Sequence, residues 1–553
     1  MRSVAERPRR PWLAPALLGC LALAVRLPNF DHIAHFDELY HFFAAQSWLA
    51  EGQLRVADGI YDRTPLFTIF LAHWLGLFGE NLVVARMPSL IAGTALVVLV
   101  FLWTRAVAGS LAATVAALLL ALDPESLQIS QWGRFYALHV LLFWLGAIGA
   151  YRLVTSRAAP GRAVLLGAGA LLCFVAALYL QITTLIGLLG VALWSALALG
   201  LPWLAGFSPR ARWGIVAGLA LLAGAAIWIF VETGLVVELL ARYRSTPLHQ
   251  AGSRDAFWYY HGFLTIYYPT LWPLVALAVV IGLAYRPRPT AFCACVVAIA
   301  FVAHSLAAAK SMRYLTYVTP FLFVLWGIAL AEIWPPLRRF LEEAGMRAMA
   351  WLGLGRLGRG GVHAALAVVL VLTVVANGAF VRSAATIFGF VIPPMQRPAD
   401  WIAAREPLAP WLADAAIVLT TNELATLYYL GRYDVLISKS RLSEYGDGSE
   451  FSPDPRTGRP VIGRPESLAS IMDCYPQGLI VADSVRWRNP AQLENAIANL
   501  VEARAEEVEL PAYGMRAYRW QQPDEATRVR ACARLPAGMR PDATASLEQS
   551  HAR

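Results

Sequence analysis

The chain has 553 residues, of which 58% are hydrophobic and only 15% charged, with a formal net charge of +9. That is more apolar material than a soluble globular protein of this length carries, so the composition describes a polytopic membrane protein. Lysine occurs only at Lys310 and Lys439, so the charge is almost all arginine; cytoplasmic anchoring accounts for it, and no basic stripe with interleaved aromatics points to nucleic acid.

Apolar stretches long enough to cross the hydrocarbon core, about 20 residues each, fall near 11–28, 82–104, 107–122, 135–151, 163–180 and 184–204, and again near 214–231, 269–285, 291–309, 314–333 and 362–381. They predict about eleven transmembrane helices. The opening MRSVAERPRR and its apolar sequel lack an A-x-A-like cleavage site, which predicts an uncleaved anchor. Arginines crowd alternate loops: Arg7, Arg9 and Arg10, then Arg105, Arg152 and Arg157, Arg210 and Arg212, Arg286 and Arg288, and Arg338 and Arg339. The positive-inside rule makes that side cytoplasmic. Residues 29–81, 123–134, 232–268, the turn at Lys310 and everything after 381 therefore face outward.

The first outer loop carries FDELYHFFAAQSWLAEG, residues 36–52, with Asp37 and Glu38 adjacent at the start of a helix that has an apolar face. Acids favour first helical turns because they complement the dipole there. A carboxylate at the membrane–water boundary also has the surroundings a general base needs, with low polarity on one side and water on the other. Further along the same loop, YDRTPL supplies Tyr61, Asp62 and Arg63 before Pro65 opens the next helix. The second outer turn, DPESLQISQWGRFY, places Asp123, Glu125, Arg134 and Tyr136 between two spans. The late turn HSLAAAKSMRY brings Lys310, Arg313 and Tyr314 to the outer end of a span, where positive charge is sparse. Cations placed against the orientation rule need an anionic partner, which points to anion binding. His35 and His41 lie beside Glu38, and a divalent ion held by these three is a further expectation.

Beyond residue 385 the chain turns polar. AAIVLTT, YDVLIS and GLIVAD read as strands, and ELATLYYLGR, PESLASIMDCY and NPAQLENAIANLVEARAEE as helices, which predicts a small α/β domain. Residues 441–460 read as a flexible loop and 523–553 as a loosely ordered tail. Cys474 and Cys532 lie in this outward region and are candidates for a disulfide, whereas Cys293 and Cys295, two apart on a helix, point away from each other. The organisation expected is a transmembrane catalytic domain over 1–384, including the outer loop 29–81, then an extracytoplasmic α/β domain over 385–522 and the tail.

Taken in order, FDELYHFFAAQSWLAEG, YDRTPL with VARMPSLIAG, SQWGRFYAL and KSMRYLTYVTPFLFVLWGIAL resemble the GT-C superfamily of membrane glycosyltransferases over roughly residues 10–335. The likeness is to the family 39 type, which includes protein O-mannosyltransferases and lipid A aminoarabinose transferases. The resemblance implies an inverting transferase on the periplasmic or extracellular face of the bacterial inner membrane. Such an enzyme takes a hexosyl or pentosyl unit from a polyprenyl-phosphate donor to a hydroxyl on a lipid, polysaccharide or protein acceptor. It also implies that Asp37 is the catalytic base. Physically, negative charge grows on the departing phosphate, so Arg63, Lys310, Arg313 and Arg134, with Tyr314, are the expected phosphate partners. Glu38 would orient Asp37 or cap the helix, and Tyr61, Asp62, Asp123, Glu125 and Tyr136 are candidates for acceptor or substrate binding. The chain departs from the aminoarabinose subgroup where Asp62-Arg63-Thr64-Pro65 replaces an acid-lysine-proline-proline run, so that subgroup's sugar does not carry over. The rival reading is a polyprenyl-lipid flippase or transporter without transfer chemistry, but no repeated halves with matching broken helices are visible.

Overall fold

The structure, a computed structural model, describes residues 12–156, 159–232, 256–351, 377–392, 397–445, 449–484, 486–489, 495–521 and 525–541, with 360–362, 364, 368 and 493. The described residues fall into two compact units. The first lies within Met1–Phe30, Arg86–Thr246 and Gln250–Phe390; the second lies within Asp31–Ala85 and Val391–Arg553.

Among the described residues, six helices are long and apolar enough to cross a membrane: Leu82–Ala108, Tyr136–Thr155, Pro160–Leu180, Thr184–Ala205, Pro287–Leu306 and Thr319–Ala348. A seventh is added if Ser110–Ala121 and Pro124–Ser130, bent by 60°, form one span. The stretches expected at 11–28, 107–122 and 269–285 are realised as the shorter helices Leu13–Ala24, Ser110–Ala121 and Val275–Tyr285, and 214–231 lies in the helix Pro209–Glu232. The span expected at 362–381 falls largely outside the described residues. The bend after Ala121 has a local cause. Pro124 has no amide proton to continue the ladder, and Asp123 instead caps the next helix by accepting from the Ser126 amide at 2.7 Å.

The first unit is held by close helix contacts at small residues. A Cβ on Gly327 would lie 2.5 Å from the Ala112 carbonyl oxygen, and one on Gly190 would lie 2.7 Å from the Val296 Cα, so glycine lets those backbones meet. Around them Phe292 packs 4.9 Å from Trp194 and 5.1 Å from Tyr151. Fully buried Arg26 is satisfied by Ser126, Ser130 and the carbonyls of Ala22 and Ala121, which ties Leu13–Ala24 to the bent pair. The helix Pro160–Leu180 leaves Leu165, Leu171 and Leu172 exposed, as a lipid-facing helix does.

The second unit is built on a six-stranded sheet. Its strands are β3 (Ile417–Thr420), β4 (Val435–Ile437), β5 (Val461–Ile462), β6 (Gln477–Asp483), β7 (Glu506–Val508) and β8 (Met515–Gln521); β1 (Arg55–Val56) and β2 (Gly59–Ile60) form a separate hairpin. The order is β5-β4-β3-β6-β8-β7, parallel from β5 to β6 and antiparallel through β8 and β7. Alternate residues feed two cores: Ile417, Leu419 and Ile480 face one, and Val418, Leu479 and Val481 the other. The helix read through residue 507 stops at Arg504, and β7 begins at Glu506.

Two stretches are more ordered than the sequence suggests. Within 441–460, Asp454 and Thr457 are buried and the chain returns through a Pro453–Pro460 bridge. Within 523–553, the helix Glu525–Cys532 forms, Ala531, Leu535 and Met539 enter the core, and Cys532 is joined to Cys474 by a disulfide. The hairpin β1–β2 lies against the ordered 454–459 segment: Asp58 donates its amide to the Thr457 carbonyl at 2.9 Å, and Arg459 pairs with the Asp58 carboxylate at 3.1 Å. Residues of the segment 31–85 thus pack into the same unit as the C-terminal α/β sheet.

Candidate functional site

The helix Phe36–Glu51 begins with a capping box. His35 Nδ1 accepts from the Asp37 amide at 3.2 Å, and Glu38 Oε1 accepts from the His35 amide at 2.7 Å. The two acids therefore part company: Glu38 is buried and committed to the helix start, whereas Asp37 is half-buried. Buried His41 turns Nδ1 to the Thr68 hydroxyl at 2.9 Å and Nε2 to the Tyr61 hydroxyl at 3.4 Å. These commitments keep His35, Glu38 and His41 from converging as a metal-ligand set, and among the described residues no group of three or more His, Cys, Asp or Glu side chains could hold a metal ion. Tyr61, expected to meet substrate, is buried and stacked on Tyr40 at 5.3 Å, while Asp62 and Arg63 are exposed.

Around Tyr40 lies a group of residues with no counterpart in the sequence reading. The Tyr40 hydroxyl donates to Glu423 Oε1 at 3.2 Å, and Arg441 Nη2 reaches the same oxygen at 2.6 Å and the hydroxyl at 3.2 Å. Arg441 Nε pairs with Asp454 at 3.0 Å. Arg456 lies over the Tyr40 ring at 5.2 Å, and Arg486 over the Phe36 ring at 5.1 Å. Burial works against the Arg441 charge, but Glu423, Tyr40 and Asp454 more than offset it, so the guanidinium sits above its ordinary value. Burial, reinforced by Glu423, also raises the Tyr40 phenol, which keeps it a hydrogen-bond donor. The only signal in the sequence was the strand-to-helix turn TTNEL that sets Glu423 at a helix start.

In the first unit, three predicted residues come together on one ring. The Arg134 guanidinium lies 4.8 Å from the centre of the Tyr136 ring, and that of Arg313 lies 5.8 Å from the same ring and 5.5 Å from Tyr314. Glu125 accepts from the Tyr267 hydroxyl at 3.4 Å. Asp123 is buried and accepts from Tyr268 at 2.7 Å besides capping its helix. Lys310 departs from expectation. Its ammonium donates to the carbonyls of His304 at 3.2 Å, Ser305 at 2.5 Å and Ala307, so all three protons serve the end of the helix Pro287–Leu306. Tyr267 and Tyr268 were missed because only the folded chain brings them to Glu125 and Asp123.

No protein-family model matches the chain, and no curated protein matches it either. Solved structures do. ArnT from Cupriavidus metallidurans bound to undecaprenyl phosphate superposes with a TM-score of 0.55 at 15% identity, over 92% of this chain and 98% of that one. The archaeal oligosaccharyltransferase AglB from Archaeoglobus fulgidus, in complex with an inhibitory peptide and a dolichol-phosphate, gives a TM-score of 0.53 at 14% identity, over 95% of this chain and 75% of that one. At such identities the likeness is one of fold: the chain shares the fold of these two proteins, and six of its described helices are long and apolar enough to cross a membrane. The resemblance carried by the outer-loop motifs is met at that level.

Proposed function

We propose that the protein is an inverting glycosyltransferase that moves a sugar from a polyprenyl-phosphate donor to an acceptor hydroxyl at the outer face of the membrane. The observation that carries this reading is the pair of guanidinium groups, Arg134 and Arg313, held against one tyrosine ring in a fold shared with an undecaprenyl-phosphate-bound protein. Each guanidinium presents several N–H donors in a planar fork, the geometry that suits a phosphate oxygen pair.

Asp37 takes the proton from the acceptor hydroxyl as that oxygen bonds to the anomeric carbon. The bond from that carbon to the phosphate oxygen breaks, and its electron pair leaves with the polyprenyl phosphate. Arg134 and Arg313 meet the growing phosphate charge. One displacement inverts the anomeric centre and needs one base, so Glu38 is free to serve the helix cap. His35, Glu38 and His41 serve the helix cap, Thr68 and Tyr61 and do not fit a metal.

The test supplies purified protein with polyprenyl-phosphate sugars and lipid, polysaccharide and peptide acceptors. Asp37→Asn is expected to cut transfer by about 10²–10⁴-fold. Transfer by that variant at the wild-type rate sinks the assignment of the base. Movement of the lipid across liposomes with its sugar–phosphate bond intact would favour a flippase instead.

A further inference from the structure

The Asp37-bearing helix is gripped from the C-terminal part of the chain at two points, one on each side of Asp37. Phe36, immediately before it, lies under Arg486, which donates to the Thr421 carbonyl at 2.6 Å and pairs with Asp483 at 3.6 Å. Tyr40, three residues after it and therefore near Asp37 on the helix surface, is bound by Glu423 and Arg441 and flanked by Tyr61 and Arg456. The side chains of Glu423 and Asp454 are 2% and 0% exposed, and Arg441 is 12% exposed. Burying two carboxylates and a guanidinium carries a desolvation cost that a purely structural contact avoids with apolar residues. What the ion cluster provides is direction: the Tyr40 hydroxyl, Glu423 Oε1 and Arg441 Nη2 close a triangle of hydrogen bonds at 3.2, 2.6 and 3.2 Å on the face of the helix that carries Tyr40.

We propose that Arg441 and Glu423 are positioning residues that set the Asp37 carboxylate through Tyr40, so that the C-terminal α/β unit is part of the transfer apparatus. This rests on the reading of Asp37 as the base. A small rotation of the helix displaces the tip of Asp37 by about 1 Å, an error that can cost about a hundredfold in rate.

The test compares Tyr40→Phe, Arg441→Lys and Arg441→Gln in the full-length protein. Tyr40→Phe removes one hydroxyl and is expected to lower kcat by about tenfold or more while the KM for the polyprenyl-phosphate sugar moves by less than about twofold. Arg441→Gln is expected to lose more, and Arg441→Lys to recover part of the loss by restoring the charge. Amide hydrogen exchange gives a readout independent of activity: residues 36–45 should exchange faster in Tyr40→Phe and Arg441→Gln, with β3 and β6 unchanged. Unchanged exchange over 36–45 in both variants, or an unchanged kcat in Tyr40→Phe, overturns the proposal. Full activity of Asp37→Asn in the same assay would instead remove the base assignment, leaving the exchange result to judge the grip on the helix.

Discussion

Lys310 Nζ donates to the carbonyl of Ser305 at 2.5 Å, so a cation expected to meet phosphate closes a helix end instead. Its other protons go to the carbonyls of His304 and Ala307, and burial lowers the ammonium below its ordinary value. A cation at a helix C-terminus meets both the unpaired carbonyls and the negative end of the dipole. Lys310→Met is therefore expected to destabilise the fold by about 1–3 kcal/mol, read as a lower midpoint of thermal unfolding in detergent. The donor KM should change far less than in Arg313→Ala. A raised donor KM with an unaltered unfolding midpoint would return Lys310 to the phosphate site.

The Arg134–Tyr136–Arg313 group carries the opposite expectation. Arg313→Ala and Arg134→Ala should each reduce kcat/KM for the polyprenyl-phosphate sugar by about 10²–10³-fold, the scale of losing a preorganised cation at developing charge. Arg313→Lys should recover little, because an ammonium neither stacks on Tyr136 nor presents a bidentate fork. Steady-state kinetics at fixed acceptor decide this. A lysine variant with wild-type kcat/KM would mean that charge alone matters there.

How much of this was written in the sequence depends on the distance over which each feature is encoded. Strands β3, β4 and β6 were legible because Ile417–Thr420, Val435–Ile437 and Gln477–Asp483 are short apolar runs bounded by turn residues. Strand β8 was not, because Arg516, Arg519 and Gln521 interrupt its apolar pattern; their half-buried or exposed places beside Ala517 and Tyr518 appear only once β6 and β7 flank it. The outer-loop acids and cations were legible as residue types in loops. Of their duties only the cap at Glu38 was among the alternatives: Lys310 folds back onto its own helix, and Tyr40 finds Glu423 across 383 positions.

The disulfide between Cys474 and Cys532 closes a loop with a sequence separation of 58 and pins the helix Glu525–Cys532 to Pro465–Cys474. Constraining a loop of that length is worth about 2–4 kcal/mol. Cys532→Ser should lower the stability of the C-terminal unit by that amount and increase tryptic cleavage within 525–541. Equal protease resistance with and without reductant would contradict it.

Asp454 links stability to pH. Burial holds its carboxyl above the ordinary aspartate value, with Arg441 pulling the other way. A raised folded value means that the folded protein binds more protons than the unfolded chain just above the ordinary aspartate pKa, so this group's contribution to stability falls as pH rises through that window. Asp454→Asn has no such titration. The variant should match the wild type near pH 4 and gain on it as the pH is raised to about 7, measured by chemical unfolding of the two proteins in parallel. A difference that is flat with pH, or that grows in favour of the wild type, would show that the Arg441 contact outweighs burial.

The adjacent acids offer the sharpest separation of roles. Glu38 Oε1 accepts from the His35 amide, a task that the glutamine carbonyl performs equally well in a capping box. Glu38→Gln should therefore keep unfolding behaviour and transfer close to wild type, whereas Glu38→Ala should lose about 1 kcal/mol of stability with the cap. Asp37→Asn preserves shape and removes the carboxylate that would take the acceptor proton, so its loss should appear chiefly in kcat, with stability falling by no more than the roughly 0.3–1 kcal/mol that a first-turn charge contributes. The pair is thus distinguished by which observable moves. If Glu38→Gln lost transfer as heavily as Asp37→Asn at unchanged stability, the buried acid would belong to the chemistry, and proton transfer would have to be shared between the two carboxylates.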